Sequence, residues 1–243
     1  MAKKISQNIS TDSLFHFIKR REWLVDILKN KSFQARYVYE EIPQFKFKIG
    51  IPMKCFCDIP LGVIKKHISQ YGKFGVGVKK EYARKNSFSP VIYVHDKSDT
   101  LLRYISSINK TEAIRNKNTL LPYIKWDERV ILSDEGNRIR SRYYDEREWR
   151  YIPPDPVYLD LSKLSNNARL PKILIDAKNK KLTEDRSKYS LPFDYTDITY
   201  IFVRNEEDVD KVISEIRKLK LQTLEQDRLI SKIITSRQIE RDF

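Results

Sequence analysis

The feature that most constrains the fold is a stretch of strict alternation between Ile49 and Cys57. Apolar side chains occupy every second position, at Ile49, Ile51, Met53, Cys55 and Cys57, with Lys48, Lys54 and Phe56 on the opposite face. Successive side chains of a strand point to opposite faces, so this period of two predicts a half-buried strand. The fold must therefore contain a β-sheet.

Other segments have helical spacing or short strand patterns. Trp23, Leu24, Ile27 and Leu28 form one apolar stripe that predicts a helix ending near Asn30. Helices are also predicted after Pro60, between 101 and 124, and from 206 onward, with a second helical stretch that includes Ile233 and Ile234. Strands are predicted at 13–18, 75–78, 90–94, 157–159, 173–175 and 198–203, with a turn at 134–137 and a return strand through 147–152.

These elements predict an α+β fold. Its core is one domain over residues 1–220, in which helices flank a mixed or split β-sheet, and residues 221–243 form a C-terminal helical extension.

Charge and cysteine content restrict the partners. The chain has 47 Lys and Arg against 33 Asp and Glu, a formal charge of +14, which favours a polyanion such as RNA or DNA, or an acidic protein. No apolar run approaches the roughly 18 residues of a membrane span, so we expect a cytoplasmic protein without a membrane partner. We expect Cys55 and Cys57 to be reduced, and no metal site, because histidines at ligand spacing are missing.

The candidate functional centre is the acidic and aromatic run from Tyr143 to Arg150. On a strand, Glu146 and Glu148 would share one face, roughly 6.5 to 7 Å apart. Carboxylates this close raise each other's pKa unless a cation or a ligand lies between them. Two interpretations stay open: a ligand-binding cleft, or cross-strand ion pairs with Arg138, Arg140 or Arg142.

Four blocks of the sequence resemble the AbiGi family of bacterial abortive phage infection. They are residues 14–17, 51–61, 71–77 and 144–153, and they occur in the family's order. The family is named as the antitoxin of a two-gene system. The resemblance therefore implies phage defence, a cytoplasmic location and a toxin partner, but it implies no mechanism.

A weaker resemblance is to NAD-dependent ADP-ribosyltransferases, especially those that modify nucleic acid. It depends on His16, in a first strand before a helix, and on Glu146 and Glu148 in a late strand. It implies an ADP-ribosyltransferase-like sheet and NAD as the substrate that is cleaved. Glu148 would stabilise the oxocarbenium-like ribose, and Glu146 would position or deprotonate the acceptor.

The same resemblance implies residues that bind NAD. His16 would orient the ribose, and Arg36 or Arg150 would donate to the pyrophosphate. An aromatic ring against the nicotinamide would come from Tyr37, Tyr39 or Tyr71, and no spacing selects one of them.

Three functions follow as hypotheses. The first is an ADP-ribosyltransferase acting on nucleic acid or on a nucleic-acid-associated protein, which needs His16 and Glu148 to face one pocket. The second is a non-enzymatic antitoxin that binds and neutralises a partner toxin through an exposed surface. The third, ranked last, is a nuclease in which Asp145, Glu146 and Glu148 hold a divalent metal.

Overall fold

The computed structural model has an α+β fold with mixed strand pairing, and it describes residues 10–42, 47–115, 120–132, 138–162, 164 and 169–242. The strands of this part of the chain are β1 (Ser13–Ile18), β2 (Ser32–Gln34), β3 (Arg36–Ile42), β4 (Phe47–Cys57), β5 (Phe74–Lys79), β6 (Ser89–Pro90), β7 (Ile92–Val94), β8 (Ile124–Trp126), β9 (Glu128–Leu132), β10 (Arg138–Arg142), β11 (Glu148–Tyr151), β12 (Leu159–Asp160), β13 (Ser190–Pro192), β14 (Ile198–Val203) and β15 (Ile233–Thr235).

The helices are α1 (Arg21–Asn30), α2 (Lys65–Tyr71), α3 (Lys80–Lys85), α4 (Asp99–Ser107), α5 (Lys110–Arg115), α6 (Arg169–Glu184), α7 (Glu206–Arg217), α8 (Thr223–Ile230) and α9 (Ser236–Asp242). Single 3₁₀ turns lie at Leu61–Val63, Leu121–Tyr123, Tyr143–Glu146 and Tyr195–Asp197. Within the described residues, no helix has the length and apolar character needed to cross a membrane.

The chain divides into two compact units. The first comprises residues 1–33, 56–86 and 192–243, and the second comprises 34–55 and 87–191. Strand β4 runs through the division between Cys55 and Phe56. The domain boundary predicted at residues 220 and 221 stays a prediction.

In the first unit, β15, β14, β5 and β1 lie side by side in that order. β14 is parallel to β15 and antiparallel to β5, and β5 is antiparallel to β1, so the predicted mixed pairing is confirmed. Gly72 caps the C-terminus of α2 with a φ of 133°, and a Cβ there would meet the Ile18 carbonyl oxygen, so only glycine fits. Phe15, Phe17 and Phe202 are core residues of this unit.

In the second unit, β3 is antiparallel to β4 along its whole length, and β11 lies between β4 and β6. The predicted alternating strand is confirmed, and Ile49, Ile51 and Met53 are core residues. Its other face is more buried than predicted, because Leu159 of β12 packs against Gly50. Among the described residues of this unit, β9 and β10 form an antiparallel pair and β7 and β8 form a parallel pair, both separate from this sheet.

The hairpin predicted from the turn at 134–137 and the return strand through 147–152 was wrong in its second strand. β9 pairs with β10, whereas Glu148–Tyr151 forms the separate strand β11. The 3₁₀ turn Tyr143–Glu146 and the left-handed Arg147, with a φ of 44°, break the chain between β10 and β11. The turn predicted at 134–137 lies outside the described residues.

Three other local predictions were wrong. Residues 173–175 belong to α6 and not to a strand, because a short apolar run fits either period. Ile233 and Ile234 form β15 beside β14, where strand pairing outweighs the helical spacing. Trp23 does not join the buried stripe of α1: it is 49% exposed, and the Arg20 guanidinium lies 5.4 Å from its ring centre.

Candidate functional site

The turn before β11 positions the two predicted catalytic acids. Glu146 ends the 3₁₀ turn and Glu148 begins the strand, with the left-handed Arg147 between them. The backbone N–H of Glu148 donates to the Tyr93 hydroxyl at 2.9 Å, which fixes the start of β11. The two acids therefore do not share a strand face as the alternation predicts, since Glu146 precedes the strand.

Lys125 of β8 nevertheless brings the two carboxylates together. Its Nζ donates to Glu146 Oε2 at 2.7 Å and to Glu148 Oε2 at 2.9 Å. The same ammonium lies 4.7 Å from the centre of the Tyr143 ring. A cation thus lies between the two acids, which is one of the ways in which paired carboxylates are stabilised.

Arg150 is the second cation of the site, and its side chain is fully buried. Its Nε and Nη2 donate to the two carboxylate oxygens of Glu148, at 2.7 and 3.2 Å. Nη2 also donates to Glu40 Oε1 at 2.7 Å, and Nη1 donates to the Pro122 carbonyl. The planar guanidinium therefore joins β11 to β3 and to the turn at Pro122 through charge-assisted bonds.

We call Glu40, Lys125, Glu146, Glu148 and Arg150 the buried charge cluster. The side chains of Glu40, Glu146 and Glu148 are 12%, 10% and 8% exposed, and that of Lys125 is 16% exposed. Three carboxylates thus meet two cations in a largely desolvated place. Such a network is stable only when its charges are paired and hydrogen-bonded.

The pKa values of Glu148 and Glu40 shift in opposite directions. Burial acts to raise the pKa of Glu148, but the positive charges of Arg150 and Lys125 outweigh it and lower that pKa to about 2. Burial raises the pKa of Glu40, although Arg150 and Lys125 act against the rise. Glu148 is therefore the firmly ionised partner of the arginine.

Cys55 of β4 is a neutral neighbour of the cluster. Burial and the charge of Glu148 raise the pKa of its thiol well above the ordinary value. The thiol is also hydrogen-bonded to the Glu148 side chain. A protonated thiol donates to a carboxylate, so Cys55 stabilises the ionised Glu148.

The acids of the run do form ion pairs, as one of the two interpretations predicts. Their partners are not the predicted arginines. Glu148 is bound by Arg150 and Lys125, whereas Arg140 is bound to Glu128. Lys125 is 23 residues from Glu148, and Glu40 is 110 residues from Arg150. No local pattern in the sequence indicates contacts at such separations.

Two predicted NAD-binding residues belong to the first unit. His16 of β1 packs against the rings of Phe33 and Phe56, with centres 6.2 and 5.4 Å away. Tyr71 ends α2, and its ring centre is 4.3 Å from that of His67. The buried charge cluster belongs to the second unit. The structure thus brings Glu146, Glu148 and Arg150 together, and the roles of His16 and Tyr71 stay predictions.

Arg36, Tyr37 and Tyr39 lie on β3 in the second unit. The backbone N–H of Tyr37 donates to Asn179 Oδ1 of α6 at 2.7 Å, and the exposed Arg36 donates to the Asn179 carbonyl at 3.4 Å. Tyr37 is buried, whereas Tyr39 is 39% exposed. These contacts join β3 to α6, and a role in NAD binding stays a prediction for all three residues.

A surface cavity of about 400 Å³ lies in the first unit, beside β14 and β15. Its lining includes Thr199, Lys232 and Gln238, and none of the residues predicted to bind NAD. Burial lowers the pKa of Lys232, whose Nζ donates to the Tyr195 carbonyl at 3.0 Å. Across the described ranges, no three His, Cys, Asp or Glu side chains are placed to hold one metal ion.

Comparison with known proteins identifies relatives of the chain. The model of a family described as "abortive phage resistance protein AbiGi, antitoxin" matches residues 31–204, a range that contains the whole buried charge cluster. The "Abortive phage resistance protein AbiGi" of Lactococcus lactis subsp. cremoris is 30% identical over 263 aligned positions, which cover 87% of this chain and 100% of that protein. No solved structure matches the chain.

Proposed function

The chain belongs to the AbiGi family, and from that membership we propose that it acts in abortive phage resistance as an antitoxin that binds and neutralises a partner toxin. The formal charge of +14 suits an acidic partner surface.

The observation that carries this proposal is that Glu148 of the acidic run is buried and ion-paired. Glu148 was the candidate catalytic acid, and it is 7% exposed with both carboxylate oxygens bonded to Arg150 and one also to Lys125. A carboxylate that stabilises a reacting sugar must face the substrate. A carboxylate whose oxygens are held by a fully buried arginine and a mostly buried lysine instead supports the fold, which favours a binding protein over an enzyme.

Coexpression tests the proposal. The candidate toxin is the product of the gene adjacent to the one for this chain. We expect its expression alone to arrest bacterial growth, and coexpression with this chain to restore growth and yield a complex that copurifies at fixed stoichiometry. The proposal fails if the neighbouring product is harmless alone, or if the chain neither restores growth nor binds it.

A second candidate is NAD-dependent ADP-ribosylation of nucleic acid or of a nucleic-acid-associated protein, on an ADP-ribosyltransferase-like fold. The observation that favours it is the approach of both Glu146 and Glu148 to one ammonium group, at 2.7 and 2.9 Å. A positively charged ribose in place of that ammonium would meet the same two carboxylates. The bound NAD would be the source of the transferred group, with Glu148 and Glu146 in the catalytic roles.

Labelled NAD separates the two candidates. The enzyme requires transfer of label to RNA, DNA or protein by the purified chain, and loss of transfer in Glu148→Gln. The matched control is Glu225→Gln, which changes an exposed acid of α8. The antitoxin proposal predicts no transfer by any of the three proteins, so any transfer that depends on Glu148 would favour the enzyme.

A further inference from the structure

The strand pair β9 and β10 presents a row of arginines on one face. Arg138 is opposite Leu132, Arg140 is opposite Val130, and Arg142 is opposite Glu128. Because alternate residues of a strand point the same way, the three arginines share a face at intervals of about 6.6 Å. We call this face of β9 and β10 the arginine ribbon.

The ribbon is exposed to solvent. Arg138 and Arg142 are exposed, and the side chain of Arg140 is 70% exposed. Val130, on the same face, is 63% exposed, so the ribbon is not covered by another part of its unit at that point. An exposed row of one charge is a surface on which a partner of opposite charge can be held.

Acidic groups also lie near the row. Glu128 lies on the same face and is bound by Arg140. Asp127 and Asp96 also act on Arg140, and together with Glu128 they raise its pKa. An anion that binds Arg140 would compete with Glu128 for a solvent-exposed pair of small stability, while Arg138 and Arg142 are also open to solvent.

An exposed aromatic ring follows the row. Tyr144 comes two residues after Arg142 and is 59% exposed. Its ring meets that of Tyr93 nearly edge-on, with centres 5.3 Å apart and planes at 69°. That contact holds the ring in place while leaving most of it in solvent. Exposed rings beside basic side chains are the stacking platforms of proteins that bind single-stranded nucleic acid.

We propose that the arginine ribbon binds a single-stranded nucleic acid, with Arg138, Arg140 and Arg142 at its phosphates and Tyr144 stacked on one of its bases. The guanidinium fork matches phosphate oxygens, and regular spacing suits a repeating chain of charges. An acidic protein would supply carboxylates but no flat base for Tyr144. This binding does not depend on the toxin partner or on NAD.

Fluorescence anisotropy tests the assignment with labelled single-stranded RNA and DNA of about 20 nucleotides, longer than the ~4 to 16 that one binding fold covers. A duplex of the same sequence is the third probe. The variant R138Q/R140Q/R142Q removes the row. The control K172Q/K178Q/K180Q removes three exposed charges from α6 of the same unit, and thus has the same net charge.

We expect the arginine variant to bind single strands at least about tenfold more weakly than the native chain, and the lysine control to bind nearly as well as the native chain. Each phosphate contact on a single strand contributes about 0.7 to the slope of log affinity against log salt. The slope should therefore become about 2 smaller in the arginine variant. Circular dichroism and urea unfolding check that all variants are folded.

Tyr144→Ala tests the stacking contact by itself. We expect at least about fivefold weaker binding with an unchanged salt slope, because stacking releases no counterions. Tyr144→Phe should bind like the native chain. The proposal is overturned if the arginine variant and the lysine control lose affinity equally, if the duplex binds as tightly as the single strands, or if polyglutamate displaces the RNA as readily as unlabelled RNA does.

Discussion

Arg140 and Arg150 are ten residues apart in the sequence, but the side chain of Arg140 is 70% exposed and that of Arg150 is fully buried. Arg140 is bound to Glu128 on the surface of the ribbon. Arg150 joins Glu148, Glu40 and the Pro122 carbonyl within the second unit. Residue type and local charge pattern are similar at the two places, so neither accounts for the difference.

Strand pairing accounts for it. Among the described residues, β10 pairs with β9 alone, whereas β11 lies between β4 and β6. A side chain on an inner strand is covered by the neighbouring strands. Its charge must then be neutralised by groups of opposite charge that are in contact with it. A run of alternating charges therefore carries no information about its environment until the neighbouring strands are known.

The largest expected effect comes from removing the buried arginine. Arg150→Met should lower the free energy of unfolding by about 3 to 5 kcal/mol, because Glu40 and Glu148 stay buried with Lys125 as their remaining cation. Urea unfolding at pH 7 measures the loss. A loss no greater than that of Arg140→Met would remove the distinction between the two arginines.

Acid should weaken the buried charge cluster in a defined pH range. The pKa of Glu148 is lowered from 4.5 to about 2, so its stabilising contribution is complete above pH 4.5 and is lost as the pH falls toward 2. The contribution amounts to at most about 3 kcal/mol. The pKa of Glu40 is raised, so its ionised form destabilises the fold. Its contribution to the free energy of unfolding therefore changes with pH in the opposite direction.

The comparison of native chain and Glu148→Gln measures this contribution together with its coupling to Glu40, whose pKa the charge of Glu148 helps to raise. We expect the native chain to be more stable at pH 6, and the difference to shrink as the pH is lowered from 4.5. Urea unfolding at each pH measures it. A difference that stays constant down to pH 2.5 would mean that Glu148 has an ordinary pKa.

The smallest expected effect comes from replacing the exposed arginine of the comparison. Arg140→Gln should leave the urea midpoint of unfolding nearly unchanged, because its pair with Glu128 is open to solvent and screened by salt. The measurement is urea unfolding at low and high salt. A loss as large as that of Arg150→Met would show that the ribbon is part of the core and not a free surface.

Much of the fold was predictable from residues with strong periodicity. The strands at Ser13–Ile18 and Ile198–Val203, the helix ending at Asn30 and the strand through Ile49 and Met53 are where the patterns predict them. The α+β class and the AbiGi family were also confirmed. Residues 173–175 were not predictable, because three consecutive apolar residues carry no period and helix α6 buries Ile175 while leaving Ile173 in solvent.

The candidate site was predictable only in part. The acidic run identified Glu146, Glu148 and Arg150, which do lie together. Lys125 and Glu40 were not predicted as site residues. Lys125 lies in a three-residue strand, and Glu40 lies in a strand whose sequence suggests exposure, so no local pattern indicates that either side chain is buried. Their membership of the cluster depends on contacts across 23 and 110 residues.

The class of the fold, most of its long elements, the strong positive charge and the family can all be derived from the order of residues. Which charges are buried and which are exposed cannot be derived in that way. Periodicity is a property of neighbours along the chain, whereas the cost of burying a charge depends on atoms of residues that are distant in the sequence. Arg150 is stable in the core because Glu40 and Pro122 meet it there.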